Sequence, residues 1–148
     1  MGMKGIIFIL IIVSVSLCSQ TSNVIYEEES GFIAKVIDGD TFEIGDQRIR
    51  LIGIDTPEYY ERCYNEAKNK LKELILNKQV TLEKDIEQTD VYDRLLRYVY
   101  VGNTFVNLEM IESGYAYLYD AGLNNKYSEE FEDAATYAME NNLGCLWS

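Results

Sequence analysis

The chain has 148 residues, a length that suits one domain preceded by a leader. It contains no histidine, which excludes an imidazole base, a histidine nucleophile partner and histidine-ligated zinc. With 13 Lys and Arg against 25 Asp and Glu it carries a net charge of −12, the opposite of the field that draws polyanions to a protein.

The first twenty residues read as a signal peptide or membrane anchor. Lys4 supplies a short positive start, and Gly5 to Leu17 is an apolar run shorter than the roughly 20 residues of a membrane span. Cys18 closes that run and is a candidate for lipidation, with Leu17 bulkier than the residue that usually precedes such a cysteine. Residues 21–30 are polar, contain three glutamates and read as a linker. An uncleaved anchor and a hydrophobic strand are the alternatives for the apolar run. With Cys18 assigned to the leader, Cys63 and Cys145 remain as a pair available for a disulfide in an oxidising compartment, or as two separate thiols.

From Gly31 onward the pattern is β. Residues 32–37 alternate as a strand, Asp38-Gly39 signals a turn, Thr41 to Ile44 is a second strand, and Gln47 to Ile54 a third that Thr56-Pro57 terminates. Glu66 to Leu76 has Ala67, Leu71, Leu74 and Ile75 on one helical stripe. Val80 to Leu82 begins a fourth strand and Leu95 to Val101 is a fifth. Asn107 to Ser113 reads as a short helix, with Asn107 as N-cap and Gly114 as C-cap, and Tyr127 to Glu140 as another. This order predicts an α+β fold: a five-stranded Greek-key barrel of the OB type with about three helices, a split α+β sheet fitting the pattern almost as well.

Three short segments carry chemistry: Ile37-Asp38-Gly39-Asp40-Thr41, the run from Ile49 to Glu58, and the run from Thr89 to Leu96. Asp40 and Asp55 at strand ends suit a hard cation such as Ca²⁺, which takes several oxygen ligands. Arg50 and Arg94 suit a phosphate, because guanidinium is a permanent charge with a planar donor fork. Acids, arginines and a divalent cation together are equipment for cleaving a phosphodiester.

In order and spacing these segments resemble the staphylococcal nuclease (thermonuclease) family, as do Val106-Asn107-Leu108 and the closing Gly144-Cys145-Leu146-Trp147-Ser148. The resemblance covers residues 31–148 and decides for the OB-type barrel. It implies one Ca²⁺ ion held by Asp40, Asp55 and the Thr56 carbonyl, with Asp38 in the outer shell. It implies Glu58 as general base, Arg50 and Arg94 on the scissile phosphate, and Tyr92 with Tyr119 or Tyr117 on the substrate. The implied protein is an exported monomeric nuclease acting on DNA and RNA, preferring single strands and leaving 3′-phosphate and 5′-hydroxyl ends, secreted or held at the outer membrane face by its N-terminus, with no stable protein partner.

Plainer readings exist for each residue. Asp38 and Asp40 can shape a hairpin turn, Arg50 can be the polar face of a strand, Glu58 an exposed turn residue, and Arg94 a surface partner of Asp90 or Asp93. Tyr98, Tyr100, Tyr115 and Tyr117 read as packing rather than as stacking platforms. The chain also departs from the family pattern. Asp93 stands where glycine is usual, Val91 stands where the staphylococcal enzyme has lysine, and Tyr59 to Tyr64 replaces a longer basic loop. With the acidic charge, these departures motivate an alternative: a catalytically silent OB-type surface binding module.

Overall fold

The computed structural model describes residues 29–148; the leader and most of the linker lie outside the described residues. Nine strands and four helices alternate along the described chain. Strands β1 (Glu29–Phe32), β2 (Lys35–Val36), β3 (Thr41–Ile44) and β4 (Gln47–Leu51) come first, followed by the two-residue β5 (Ile54–Asp55). Helix α1 (Tyr64–Ile75), β6 (Gln79–Glu83), β7 (Leu95–Val101), β8 (Thr104–Phe105) and α2 (Val106–Glu112) follow. Strand β9 (Tyr117–Leu118), α3 (Ser128–Glu140) and α4 (Gly144–Trp147) complete the domain. Among the described residues no helix is long and apolar enough to cross a membrane.

The main sheet runs β1-β6-β7-β4-β3-β2, with β8 on β7 and with β4 and β7 parallel. Its two ends are the halves of one bent strand, separated only by Ile33 and Ala34. The bend lets residues 29–32 pair with β6 while Lys35 and Val36 pair with β3. The path therefore returns to its starting segment with five strand positions, which is how the expected OB-type barrel is realised in this α+β fold. Strand β1 begins at Glu29, ahead of the Gly31 start that the alternation suggests, because Glu29 has a structural role. Its carboxylate takes a 2.7 Å hydrogen bond from Nε of Arg97, a buried guanidinium that needs an anion.

Helix α1 buries Ala67, Leu71 and Ile75, the stripe expected of it, against the barrel. Tyr98 is buried, and with Phe105, Tyr127 and Phe131 it forms an edge-to-face cluster under α3. Tyr100 stacks on Phe105 at 4.7 Å. The packing role expected of Tyr98 and Tyr100 holds.

Asn107 is not the N-cap of α2. The helix starts at Val106, behind Phe105 and without a side-chain cap, and Asn107 is fully buried inside it. Its Nδ2 donates to the carbonyls of Ile52 (2.9 Å) and Arg97 (3.3 Å), and its Oδ1 accepts from Val99 N–H (2.9 Å). One amide thus satisfies three backbone groups where β4 ends and β7 passes, a demand that helix periodicity does not announce. Ser113 is the C-cap, and Gly114 follows it with φ of 76°.

Replacing Asn107 with Ala takes this partner from the Val99 N–H and the Ile52 carbonyl, while the Arg97 carbonyl keeps the Ile52 N–H at 3.0 Å. Asn107→Ala should lower unfolding free energy by about 2–4 kcal/mol, read in urea or thermal melts. A loss within a few tenths of a kcal/mol would show that water takes over the role.

Candidate active site

The turn between β2 and β3 places Asp40. Its own N–H donates to Asp38 Oδ1 at 3.1 Å, an Asx turn. Gly39 is required here by close approach. A Cβ on it would meet Thr56 Oγ1 at 2.6 Å and the Ala67 Cβ at 2.9 Å, so the turn lies directly on the Thr56 segment and on α1. Asp40 is buried and fully engaged: Oδ2 accepts from Thr56 N–H (3.0 Å) and Thr56 Oγ1 (2.9 Å), and Oδ1 accepts from Thr41 Oγ1 (3.0 Å).

Arg50 lies in β4 opposite Thr41 of β3 and Leu96 of β7. Its guanidinium sits between two acids. Nη1 lies against Asp40 Oδ1 as an ion pair without hydrogen-bond alignment, and Nη2 donates to Asp55 Oδ1 at 2.8 Å. Burial pulls the Arg50 pKa down, and the nearby Asp55 carboxylate opposes that. Asp38 is pushed up from its ordinary value, first by burial, against hydrogen bonds from Thr41 and the charges of Arg50 and Arg94.

Asp55 is positioned by a two-stranded ladder in which it pairs with Tyr117, and Tyr119 N–H donates to the Gly53 carbonyl at 3.0 Å. That ladder brings Tyr119 to the cleft, whereas Tyr117 packs perpendicular to the ring of Trp147. Glu58 is exposed at the cleft wall, at the head of a turn in which its N–H donates to Glu61 Oε2 (2.8 Å) and Glu61 N–H donates to the Glu58 carbonyl (2.8 Å). Tyr59 and Tyr60 follow it and are exposed, with ring centroids 4.7 Å apart.

Arg94 is held by Asp90, one of the two partners weighed for it. Arg94 Nε donates to Asp90 Oδ2 at 2.6 Å, while the N–H groups of Arg94 and Tyr92 both donate to Asp90 Oδ1. Burial alone would raise the Asp90 pKa, but these donors outweigh it and hold it below its ordinary value. Asp93 does take a left-handed φ, 63°, where glycine would be the unstrained residue. The Arg94 guanidinium also reaches Thr41 Oγ1 at 3.4 Å and lies over the Tyr92 ring at 5.5 Å.

All eight site residues read from the sequence, Asp40, Arg50, Asp55, Thr56, Glu58, Tyr92, Arg94 and Tyr119, line one cleft of about 680 Å³. The sequence reading did not place Glu87 and Asp120 on the same wall. The lining holds seven carboxylates (Asp38, Asp40, Asp55, Glu58, Glu87, Asp90, Asp120) against two guanidinium groups. An anionic substrate entering such a cleft needs further positive charge. Among the described residues no group of three or more cysteine, aspartate or glutamate side chains is gathered as a ready metal centre. Asp40 and Asp55 nevertheless converge on one cationic group, Arg50, beside the Thr56 backbone. This all-oxygen donor set suits a hard divalent cation whose remaining ligands are water, and it does not suit a thiolate or imidazole metal.

The profile of the family described as "Staphylococcal nuclease homologue" matches residues 48–148. The chain is 36% identical over 129 residues to a thermonuclease of Staphylococcus intermedius, covering 80% of this chain and 76% of that one. It is 33% identical over 131 residues to a thermonuclease of Staphylococcus hyicus, covering 82% and 77%. An uncharacterized endonuclease of Haemophilus influenzae is 32% identical over 147 residues, covering 95% and 75%.

A methyl group at position 39 must push Thr56 or α1 away from Asp40. Gly39→Ala should cost about 1–3 kcal/mol of stability and loosen the Asp40–Thr56 contact. Thermal melts and the amide resonance of Thr56 read both effects, and an unshifted Thr56 amide would refute the close approach.

Proposed function

The chain belongs to the staphylococcal nuclease homologue family and is a phosphodiester-cleaving nuclease, and we propose that it is an exported, calcium-dependent enzyme that cuts DNA and RNA. The observation that carries this reading is the convergence of Asp40, Asp55, Glu58, Arg50 and Arg94 on one cleft. Asp40, Asp55 and the Thr56 carbonyl would hold the ion. Bound there, Ca²⁺ would neutralise a non-bridging phosphate oxygen and lower the pKa of an attacking water.

The remaining chemistry falls to the chain's own residues. Glu58 takes a proton from the attacking water. Arg50 and Arg94 donate to the phosphate oxygens, whose negative charge grows as five-coordinate phosphorus forms. The bond to the 5′ oxygen breaks and that oxygen takes a proton from solvent water, leaving a 5′-hydroxyl and a 3′-phosphate. Both arginines already have carboxylate partners, Asp40 with Asp55 and Asp90, which orient them but also compete with the substrate. Because recognition falls on phosphate, the sugar is tolerated.

A chain this acidic gains little from long-range attraction to a polyanion. Stacking is independent of net charge, and Tyr59, Tyr60, Tyr92 and Tyr119 are all exposed in or beside the cleft. These rings support single-stranded substrate, whose bases are open to stacking. The apolar run from Gly5 to Leu17 supports secretion or anchoring at the outer face of the membrane, and the proposed enzyme acts as a monomer.

Hydrolysis of a single-stranded oligonucleotide by the purified protein should require Ca²⁺ and stop with EDTA. Glu58→Gln should lower kcat by about 10²-fold or more while leaving the melting temperature in place. Cutting that survives EDTA would sink the calcium assignment, and full activity in Glu58→Gln would sink Glu58 as base. A protein that does not cut but melts higher with Ca²⁺ would be a binding module.

The double variant Tyr59→Ala, Tyr60→Ala should raise KM for single-stranded DNA about tenfold and barely change kcat. An unchanged KM would leave substrate capture to Tyr92 and Tyr119.

A further inference from the structure

Cys63 and Cys145 are far apart in sequence and meet in the fold. Cys63 is buried at the head of α1, in the left-handed conformation with φ of 75°. Cys145 lies in α4 and is half-buried. Both are thiols in this structure. The Arg62–Ser148 hydrogen bond holds α4 at the head of α1, and there burial first, then the neighbouring Cys63, push the Cys145 thiol up to about 12.

Other contacts fix α4 in this place. Arg62 Nη2, next to Cys63, donates to the Ser148 carbonyl oxygen at 2.7 Å. Leu146 N–H donates to the Gly114 carbonyl at 3.2 Å. Trp147 and Tyr117 pack with their rings perpendicular and centroids 5.7 Å apart, and Tyr117 is the ladder partner of Asp55. Helix α4 therefore braces the segment from Asp55 to Cys63 at both ends. At one end it acts through Tyr117, and at the other through Arg62 and Cys63. Asp55, Thr56 and Glu58 all lie between these two anchors.

We propose that Cys63 and Cys145 are a disulfide-forming site, a clasp that a small-molecule disulfide closes and that locks the segment carrying Asp55, Thr56 and Glu58 between β9 and α1. In closing, one cysteine thiolate attacks the oxidant, breaks its S–S bond and releases one small thiol. The second cysteine thiolate attacks the mixed disulfide, forms the Cys63–Cys145 bond and releases the other small thiol. The two cysteines lose two protons and two electrons, which the oxidant carries away as two thiols. The bond removes freedom from the unfolded chain, because it closes a long loop. It joins two residues that the anchors of α4 already bring together in the folded chain. The clasp rests on the placement of α4 against the head of α1, fixed by the Arg62–Ser148 and Leu146–Gly114 hydrogen bonds, and holds whether or not the cleft turns over nucleic acid.

The test uses the full chain incubated with oxidised glutathione or with dithiothreitol, then mapped by non-reducing peptide mass spectrometry and melted. The expected result is a peptide joining Cys63 to Cys145 and a melting temperature about 5–10 °C above that of the reduced protein. In Cys145→Ser the gain should vanish, while nuclease activity at room temperature stays within about twofold of the wild type. Resistance of that activity to brief heating should follow the disulfide. Three results overturn the clasp: glutathione adducts on Cys63 and Cys145 without a link, pairing of either with Cys18, or a linked protein that melts no higher than the reduced one. Loss of cutting in every sample would count against the nuclease reading and leave the peptide map and the melt to judge the clasp.

Discussion

A guanidinium largely withdrawn from water must be neutralised where it lies, and Arg50 imposes that constraint on the whole site. It projects into the cleft from a strand flanked on both sides by partners, and little of it meets solvent. Asp40 from the turn before β3 and Asp55 from the short ladder after β4 supply the compensating charge. Thr56 then holds the other oxygen of Asp40, which ties the two acidic segments together. Three stretches of chain are thus assembled by one electrostatic need. Asp40 and Arg50 are the largely buried pair, where an unpaired charge costs several kcal/mol, and the half-exposed Asp55 adds a weaker partner at the cleft surface.

The same knot explains why an acidic protein can present a phosphate site at all. The cleft carries more carboxylates than arginines, so its resting field repels nucleic acid. A divalent cation held by Asp40 and Asp55, as proposed above, would offset that charge locally and leave the outer surface acidic. Arg94 fits this pattern. Its partner Asp90 sits four residues earlier in the same loop and holds its backbone and side chain at once. The loop thereby places the arginine at the cleft before any substrate arrives. The left-handed Asp93 lies inside that loop and is the conformational cost of the turn.

Away from the charges, the catalytic segment is suspended from packed elements. Asn107 fixes the end of β4 to β7 and α2, so the chain enters the Asp55 ladder from a rigid point. The aromatic cluster of Tyr98, Phe105, Tyr127 and Phe131 seats α3. The loop leaving β9 passes Tyr119 and Asp120 along the cleft on its way to α3. Helix α4 then returns to both ends of the Asp55–Cys63 segment. Precision at the site comes from these supports, because the segment itself is mostly turn.

Local sequence already determined much of this. The stripe of Ala67, Leu71, Leu74 and Ile75 specified α1 and the apolar side of Tyr127 to Glu140 specified α3, because periodicity is a property of neighbours in the chain, while the acidic and basic segments, with the family resemblance they carry, named the cleft residues. The tertiary structure alone decided the bend that lets residues 29–36 close the barrel, the pairing of Asp55 with Tyr117, the choice of Tyr119 over Tyr117 for the cleft, and the meeting of Cys63 with Cys145. It also turned Asn107 from an apparent cap into an internal brace. Each of these joins residues far apart in sequence, through two-residue strands or single side chains. Such elements are too short to carry a period, and their partners are selected by what must be buried and satisfied once the barrel has closed.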